Sequence, residues 1–379
     1  MNRNAEPSRQ TGALNEAERL AWLRLIRTPN VGPITFHQLI ARFGSAKQAL
    51  NALPELARRG GRSKPLKICP APVAERELAA SERIGADVLF HGGPGYPAAL
   101  AACEDAPPVL FALGHAHLLD KPAVAVVGAR NASAAGVRFA REIAGALGAR
   151  GLIVVSGLAR GIDAAAHDGA LTSGTIAVQA GGIDVIYPSE NAELYAQIRD
   201  LGLLVSEISP GVQPQARHFP RRNRLISGTA LGVLVVEAAP RSGSLITARL
   251  ALEQGREVFA VPGSPLDPRA RGANNLIRQG AILTESADDV FAALEETLRT
   301  PLKEPRGSAM THPMLAVPGE AELDAGRRRI AAMLSPTPVG VDELVRQCEL
   351  TPAVVLTILL ELELAGRLDR HPGNKVSLL

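Results

Sequence analysis

The class of fold is decided at residues 123–133, which have the sequence Ala-Val-Ala-Val-Val-Gly-Ala-Arg-Asn-Ala-Ser. An unbroken apolar run rich in valine is typical of a strand that is buried on both faces of a parallel sheet. The glycine-containing loop at 128–133 leads into a segment of helical length, Gly136 to Arg150. A buried strand, a short loop and a helix in this order predict the first half of a βαβ unit.

The same alternation of strand and helix patterns continues along the middle of the chain. Further apolar runs occur at residues 88–90, 109–111, 152–155, 175–178, 203–205, 232–236 and 257–261. Segments of helical length lie between the core strands, at 162–172, 192–200 and 245–254. β-Branched runs separated by helices predict an α/β fold with an extended Rossmann-like, doubly wound parallel sheet.

Composition shifts predict further domains on both sides of this sheet. We expect four parts: a small helical domain with its connector at 1–80, the Rossmann-like domain at 81–299, a flexible linker at 300–319 and a winged-helix domain at 320–379. The N-terminal helices are predicted at 21–26, 35–43 and 46–53, with a loop or connector at 57–80. The C-terminal pattern predicts helices at 325–334, 341–348 and 352–365 and a hairpin at 368–377.

Each flanking domain has one segment that could contact DNA. The Pro/Gly turn at 28–33 fits a helix-hairpin-helix that brings backbone amides to a phosphate, with Arg27, Arg42 and Lys47 nearby, or a plain turn in a helical bundle. The third helix of a winged helix usually reads DNA. Here it contains Glu361 and Glu363, which favours a protein-contact or structural role, because carboxylates repel phosphates.

The totals restrict the kinds of partner and site. The net charge is only +3, so a nucleic-acid site would have to be a local basic patch. Cys69, Cys103 and Cys348 are far apart, which argues against a zinc site or a disulfide framework and fits a reducing cytosol. The first twenty residues lack the apolar core of a secretory signal, and no apolar run has membrane-spanning length. We therefore expect a cytoplasmic protein without a metal.

The loop after the first core strand differs from the common nucleotide-binding loops. It lacks the GxGxxG spacing, and the next strand ends at 156–157 without the carboxylate that a dinucleotide ribose needs. The chain also lacks a GxxxxGK[ST] loop, so we expect no nucleotide cofactor. Gly128, Arg130 and Ser133 at a helix start instead predict an anion site. Glycines that serve tight packing alone are the alternative.

Similar loops follow the neighbouring strands. They contribute further candidate contacts: Gly157, Arg160, Gly161, Ser242, Gly243, Ser244, Thr247 and Asn274. Loops at the carboxyl ends of parallel strands meet at one edge of the sheet. Repeated Ser, Gly and Arg residues at this edge suit a row of phosphates, as a polynucleotide presents.

Asp163 and His167 stand four residues apart in a predicted helix and would share one face. They fit either an acid/base or metal pair, or a helix N-cap at Asp163 with an oriented structural histidine.

The segment His218 to Arg224, His-Phe-Pro-Arg-Arg-Asn-Arg, combines an aromatic ring with a cluster of arginines. Arginines neutralise phosphates and a phenyl ring can stack on a base, which is the combination that single-stranded nucleic acid binding uses. We expect Phe219 to stack on a base and Arg222 and Arg224 to hold phosphates, with Asn223 between them. A solvated basic loop in which Phe219 fills the core is the alternative.

Several of these segments together resemble one known family. They are Gly-Ala-Arg-Asn-Ala-Ser at 128–133, Ser-Gly-Leu-Ala-Arg-Gly-Ile-Asp-Ala-Ala-Ala-His at 156–167, Phe-Pro-Arg-Arg-Asn-Arg-Leu-Ile-Ser at 219–227, Val-Glu-Ala at 236–238, Ser-Gly-Ser-Leu-Ile-Thr-Ala at 242–248, Gly-Arg-Glu-Val-Phe-Ala-Val-Pro-Gly at 255–263 and Gly-Ala-Asn-Asn-Leu-Ile at 272–277. In this order they closely resemble the DNA-processing protein A family, also called Smf. They cover about the middle half of the chain.

The resemblance implies a single-stranded DNA-binding protein that protects incoming DNA and loads the RecA recombinase during natural transformation and homologous recombination. It implies a homodimer with no established catalytic step. The strand pocket would contain Arg130, the loop glycines and serines, and a stacking aromatic at Phe219. Some relatives use a pocket lysine, whose place Arg160 or an arginine in 217–224 would take here.

A nucleotide phosphoribohydrolase on a related Rossmann fold is the alternative from a different class. Such enzymes have a Pro-Gly-Gly-x-Gly-Thr-x-x-Glu loop whose glutamate supports glycosidic cleavage. The comparable loop at 241–249 has an arginine near the position of that acid. Glu237 alone offers no acid/base pair, and we expect it to orient the loop arginines. The sequence therefore predicts a protein that is not an enzyme.

Overall fold

The computed structural model describes residues 14–299, 319–371 and 373–379. The chain divides into two compact units. The first extends from Glu77 to the last described residue before the gap, and the second combines Asn15–Arg76 with the C-terminal residues from 319 onward. The linker predicted at 300–319 lies, apart from its last residue, outside the described residues, so it stays a prediction.

The bounds of the helices and strands are as follows. The helices are α1 (Glu16–Ile26), α2 (Pro33–Phe43), α3 (Ala46–Arg59), α4 (Ala71–Arg83), α5 (Ala98–Ala101), α6 (Ala134–Ala149), α7 (Ile162–Ala170), α8 (Ala192–Leu201), α9 (His218–Thr229), α10 (Gly243–Glu253), α11 (Arg271–Arg278), α12 (Ala287–Arg299), α13 (Glu320–Met333), α14 (Val341–Cys348) and α15 (Pro352–Leu364). The strands are β1 (Asp87–Phe90), β2 (Val109–Gly114), β3 (Ala123–Gly128), β4 (Ile153–Ser156), β5 (Thr175–Val178), β6 (Leu203–Ser206), β7 (Gly232–Val236), β8 (Glu257–Ala260), β9 (Ile282–Leu283), β10 (Val339–Gly340), β11 (Leu368–His371) and β12 (Lys375–Leu378).

The first unit is built on a nine-stranded sheet of described residues, in the order β1-β2-β6-β5-β4-β3-β7-β8-β9. Every neighbouring pair within the run β6-β5-β4-β3-β7-β8-β9 is parallel. The predicted doubly wound, Rossmann-like sheet is therefore confirmed. The strands predicted at 88–90 and 109–111 are β1 and β2. They join the sheet by antiparallel pairing, because β2 is antiparallel to both β1 and β6. Both strands precede the first βαβ unit, so no helical crossover fixes their direction.

Helices cover both faces of this sheet, because its strands are apolar on both sides. On one face, Val124 and Val126 of β3 pack with α6, α7 and α12. On the other face, Ala123, Ala125 and Val127 of the same strand pack with α5, α9, α10 and α11. Both faces of β3 are thus buried, as the valine-rich run predicts.

The chain order reverses at β3, and this reversal fixes where ligands can bind. Strands β4 to β6 lie on one side of β3 and β7 to β9 lie on the other. In such sheets the crevice for a ligand lies outside the carboxyl ends of the strands at the reversal point. The loops that follow β3, β4, β5 and β7 therefore surround the candidate site.

In the second unit, α13 to α15 and the β10-β12-β11 sheet form the expected winged helix around a shared apolar core. The loop predicted at 57–80 is present only at 60–70, because α3 extends to Arg59 and α4 occupies Ala71–Arg83. Leu56 and Ala57 continue the buried face of α3, and Pro72 is compatible with the first turn of α4. Among the described residues, no helix combines the length and the apolarity needed to cross a bilayer.

Candidate nucleic-acid interface

The carboxylate of Glu237 occupies the anion position predicted at the start of α6. Glu237 follows β7 with a left-handed backbone, φ 53°. Its side chain accepts hydrogen bonds from the Ser133 backbone N–H at 2.9 Å and from the Ser133 hydroxyl. The Ser133 hydroxyl in turn caps α6 by accepting from Gly136 N at 2.9 Å. A Cβ at Gly136 would lie 2.6 Å from the Glu237 carboxyl carbon, so this glycine makes room for the carboxylate.

This arrangement changes three of the sequence predictions. The positive end of α6 is compensated by a carboxylate of the same chain, so the phosphate role predicted for Ser133 is replaced by capping. Glu237 was expected to orient the loop arginines, but its hydrogen bonds go to Ser133. A Cβ at Gly128 would lie 1.8 Å from the Val236 carbonyl oxygen, so this glycine serves the close packing of β3 and β7.

A cleft of about 260 Å³ opens beside this position, beyond the carboxyl ends of β4 and β5. Its walls come from the loops after β3, β4 and β5 and from α9. Five of the predicted site residues line it: Arg130, Gly157, Arg160, Phe219 and Arg222. The structure therefore brings together the loops that follow adjacent strands and the basic, aromatic segment that is distant in sequence.

Phe219 lies in the wall of the cleft and is only half-buried. The guanidinium carbon of Arg130 lies 5.4 Å from the centre of its ring. The ring of Tyr187, which is 46% exposed, has its centre 5.6 Å from that of Phe219, with an angle of 56° between the rings. Phe219 therefore presents an aromatic surface to the cleft instead of filling the core. Tyr187 was not identified from the sequence, since a lone tyrosine between loops has no distinguishing pattern.

The segment His218–Thr229 is the helix α9, not the basic loop of the alternative interpretation, and its arginines differ in burial. Arg217 and Arg221 are exposed, whereas Arg222 and Arg224 are buried. Helical spacing alone would not have separated Arg221 from Arg222, because both precede the buried Leu225 by three or four residues.

Arg222 is 7% exposed and holds the loop after β4. Its Nη2 donates to the Gly157 carbonyl oxygen at 2.7 Å, and a Cβ at Gly157 would lie 1.8 Å from its Nη1. Burial lowers the pKa of Arg222 to about 10, against the opposing effect of the Asp163 carboxylate, so the guanidinium stays charged at neutral pH. Arg222 therefore positions the wall of the cleft, and only its edge faces the open volume.

Arg224 is held in a buried ion pair. Its guanidinium donates to the Glu207 carboxylate and to the Asp105 carbonyl oxygen, and the Asp105 carboxylate lies 3.7 Å away. Its side chain is 10% exposed and does not line the cleft. The phosphate role predicted for Arg224 is therefore replaced by a buried ion pair that fixes α9 to the preceding loops.

Gly161 and Arg160 shape the other side of the cleft. Gly161 has φ +77°, and a Cβ there would lie 2.3 Å from the Ala129 carbonyl oxygen. This close contact, with the Ile162 N–H donating to the same oxygen at 3.2 Å, holds the loop that carries Arg130. Arg160 is exposed and pairs with Glu190 at 3.5 Å, so part of its charge is already compensated.

Asp163 and His167 are structural residues below the loop after β4. His167 is fully buried, accepts from the Leu158 N–H at 3.3 Å through Nε2, and has Nδ1 2.7 Å from the Thr175 hydroxyl. Burial lowers its pKa to about 3, so it is neutral. Asp163 accepts from Ala159 N at 3.4 Å, and burial raises its pKa. The predicted N-cap at Asp163 was wrong, because Gly161 is the N-cap of α7. The oriented, structural histidine is the interpretation that fits.

The remaining predicted residues lie in neighbouring loops. Asn223 donates to the Gly243 carbonyl oxygen at 3.4 Å and so joins α9 to the loop after β7. In that loop Ser242 caps α10 and its hydroxyl lies 2.7 Å from that of Ser244, while Thr247 is buried.

Asn274 is not part of the cleft beside Arg130. Its side-chain amide bonds the backbone of Gly263 twice, at 3.1 and 2.8 Å, and lines a second cleft of about 410 Å³. The predicted single row of contacts is therefore divided between two clefts.

Gln179 is a cleft residue that sequence analysis missed. It is 3% exposed and lines the cleft, and its Nε2 has no hydrogen-bond partner among the described residues. A polar residue directly after a buried strand was the available signal, since that position lies at the ligand-binding edge of the sheet. In the described part of the chain, no group of three or more His, Cys, Asp or Glu side chains is placed to hold a metal ion.

The fold and the cleft define a class of protein. It has a Rossmann-like domain in which an internal carboxylate fills the usual phosphate position, and an arginine- and aromatic-lined cleft lies one strand away. A helical module precedes this domain in sequence and a winged helix follows it. Family models match all three parts: DNA recombination-mediator protein A at residues 87–295, a DprA-like N-terminal HHH domain at 16–80 and a DprA winged helix domain at 315–374. The chain therefore belongs to the DNA recombination-mediator protein A family.

Individual relatives agree with this assignment. Protein Smf of Escherichia coli is 42% identical over 286 residues, which are 75% of each chain. The solved structure of DNA processing protein A from Streptococcus pneumoniae is 38% identical, with a TM-score of 0.61 over 72% of this chain and 95% of that one. The solved structure of DNA processing protein A from Helicobacter pylori, which describes its single-stranded DNA binding mode, is 29% identical, with a TM-score of 0.52 over 56% of this chain and 96% of that one. The resemblance inferred from the motifs is confirmed, and the match at 16–80 favours the helix-hairpin-helix interpretation of the N-terminal domain over a plain helical turn.

Proposed function

We propose that this protein binds single-stranded DNA in the cleft between the β4 and β5 loops and α9. The observation that carries the proposal is the half-buried ring of Phe219, which lies in the cleft wall beside the Arg130 guanidinium and the Tyr187 ring. An aromatic ring exposed beside cations is the arrangement that stacks a base while neutralising the adjacent phosphates. The single-stranded DNA binding described for the Helicobacter pylori protein supports the same ligand.

The charges around the cleft divide into two groups with different roles. Arg130, Arg217 and Arg221 are exposed and would contact phosphates, with Arg160 contributing once its weak pair with Glu190 is broken. Arg222 would act indirectly, by holding the Gly157 loop in place. The Nε2 of Gln179 would donate to an acceptor oxygen of the bound strand, since it has no partner among the described residues.

The first test is equilibrium binding of labelled oligothymidine and of a duplex of equal length across a salt titration. We expect tighter, salt-sensitive binding of the single strand, and Phe219→Ala to lose about 1–3 kcal/mol of strand affinity. The matched control is Phe43→Ala in the second unit, because Phe43 is also half-buried beside an arginine, with the Arg42 guanidinium 5.5 Å from its ring centre. Equal effects of the two substitutions, or a preference for duplex, would contradict the proposed site.

We further propose that the protein acts in the cytoplasm as a homodimer that shields incoming single strands and loads RecA recombinase during transformation and recombination. Family membership supports this role. A reconstitution of RecA filament assembly on oligonucleotides covered with single-strand-binding protein tests it, and an unchanged lag in the presence of this protein would refute the loading step. Light scattering during gel filtration tests the dimer.

No catalytic step is part of the proposal. Glu237, the acid considered for glycosidic cleavage, is engaged by Ser133 at the start of α6, which leaves it poorly placed to transfer protons to a ligand. Release of free base from nucleoside monophosphates by the pure protein would favour the phosphoribohydrolase alternative instead.

A further inference from the structure

The third helix of the winged helix is covered by the N-terminal helical module. Within the second unit, α15 packs against α3. The contact is close at Gly60, directly after α3, where an added Cβ would lie 1.9 Å from the Glu361 carbonyl oxygen and 2.9 Å from the Ala365 Cβ. Only a residue without a side chain permits this distance between the two backbones. The surface that a winged helix usually turns to DNA is therefore in contact with protein.

The carboxyl end of α15 receives hydrogen bonds from the same module. The side chain of Asn30, in the hairpin at 28–33, donates to the Leu364 carbonyl oxygen at 3.2 Å. Arg62 donates to the Ala365 carbonyl oxygen at 3.4 Å. Because the last carbonyls of a helix lack partners within the helix, these bonds satisfy groups that would otherwise need water. The hairpin, the element of the N-terminal module with DNA-contact potential, thus points a side chain at the winged helix.

The acidic residues of α15 are neutralised inside the unit. Glu361 is 1% exposed and accepts from the Arg327 guanidinium at 2.9 and 3.0 Å. Glu363 pairs with Arg370 at 2.7 Å. Between the two modules, Arg59 pairs with Glu320 at 3.0 Å. The two carboxylates of α15 are therefore neutralised by arginines of the winged helix itself, and the Arg59–Glu320 pair joins the two modules.

From this geometry we propose that the N-terminal helical module is the partner of the winged helix. The face of α15 is a protein-docking surface, and its occupant is the α1–α3 module of the same chain. The hairpin at 28–33 and the third helix are engaged with each other, so neither contributes affinity for DNA. The strand is then held by the Rossmann-like domain alone.

The test is hydrogen–deuterium exchange of the full-length protein with two Gly→Ala variants. Gly60→Ala introduces a Cβ against the Glu361 carbonyl, whereas the control Gly340→Ala places a Cβ 3.9 Å from its nearest neighbour. Both glycines have ordinary backbone angles, φ −69° and φ −67°, so backbone strain is equal. We expect Gly60→Ala to speed exchange by about tenfold or more in α3, the hairpin and α15 together, as a shared opening unit would. Gly340→Ala should leave exchange in these segments unchanged.

Three outcomes would overturn the proposal. Equal exchange in Gly60→Ala and Gly340→Ala would show that the contact is not maintained in solution, and protection that varies with protein concentration would assign the surface to a second copy. If Gly60→Ala does not fold, Arg62→Ala provides a second test, because it removes only one hydrogen bond at the contact. Arg62→Ala should also speed exchange in these segments, but by a smaller factor. A loss of oligothymidine affinity in Lys47→Ala would show that the module contacts DNA. The exchange experiment needs no DNA, so it is independent of the proposed binding site.

Discussion

Replacing Arg222 by methionine tests whether this arginine has a structural role or binds a phosphate. The substitution keeps the apolar stem and removes a buried guanidinium that bonds Gly157 at 2.7 Å and lies in the field of the buried Asp163 carboxylate. Removing a buried charged donor leaves the Gly157 carbonyl oxygen without this hydrogen bond, which costs about 1–3 kcal/mol. We therefore expect Arg222→Met to lower the free energy of unfolding of the first unit by about 2 kcal/mol at pH 8.

The loss should depend on pH through Asp163. Burial raises the pKa of Asp163 in the folded protein, and Arg222 opposes that rise. Without Arg222 the folded-state pKa rises further, so the folded state binds a proton that the unfolded state has released. Stability of the variant then falls as pH increases from the unfolded-state pKa toward the folded-state pKa. The destabilisation should accordingly be smaller at pH 5 than at pH 8.

Urea unfolding followed by far-ultraviolet circular dichroism measures the effect. The chain has one tryptophan, Trp22, whose fluorescence reports the second unit and serves as an internal reference. The matched control is Arg221→Met, an exposed neighbour on the same helix that should change stability by less than about 0.5 kcal/mol. Equal stability of the two variants, together with a loss of DNA affinity in Arg222→Met, would refute the structural role and assign Arg222 directly to the strand.

Two further predictions concern the edge of the sheet. Glu237→Gln should lower the stability of the first unit by about 1–2 kcal/mol, because the carboxylate compensates the positive end of α6 and accepts charge-assisted hydrogen bonds; the exposed Glu257→Gln is the control in the same urea titration, and an equal effect would contradict the capping role. Gln179→Leu should weaken oligothymidine binding by about 1 kcal/mol while leaving the melting temperature unchanged or higher, since it removes a buried donor with no partner in the described fold. Unchanged affinity would show that the amide does not contact the strand.

Much of the first unit could be predicted because its signals are local. The run at 123–127 is apolar at every position, and this requires a strand covered on both faces. The antiparallel direction of β2 could not be predicted in the same way, because strand direction depends on which strand it pairs with. The end of α3 was missed because the prolines and arginines at 57–80 resemble a connector, while the buried face of the helix continues through Leu56.

The site was predictable in position but only partly in its contacts. Parallel strands bring their carboxyl ends to one edge, so the loops bearing Arg130 and Gly157 were expected to meet, and they do. The roles of the α9 arginines were not predictable from a basic segment alone, because burial of each arginine depends on which distant segments pack against it. Arg224 is held by Glu207, seventeen residues earlier in the chain.

The sequence by itself determined the class of fold, the order of the domains and the family, because each rests on residues that are neighbours in the chain. The tertiary structure decided which charges are available to a ligand. Glu237 satisfies the start of α6, Arg222 supports the cleft wall, and the α3–α15 contact engages the two flanking modules with each other. These roles depend on the distance between groups far apart in sequence, and electrostatic interaction and desolvation act through that distance.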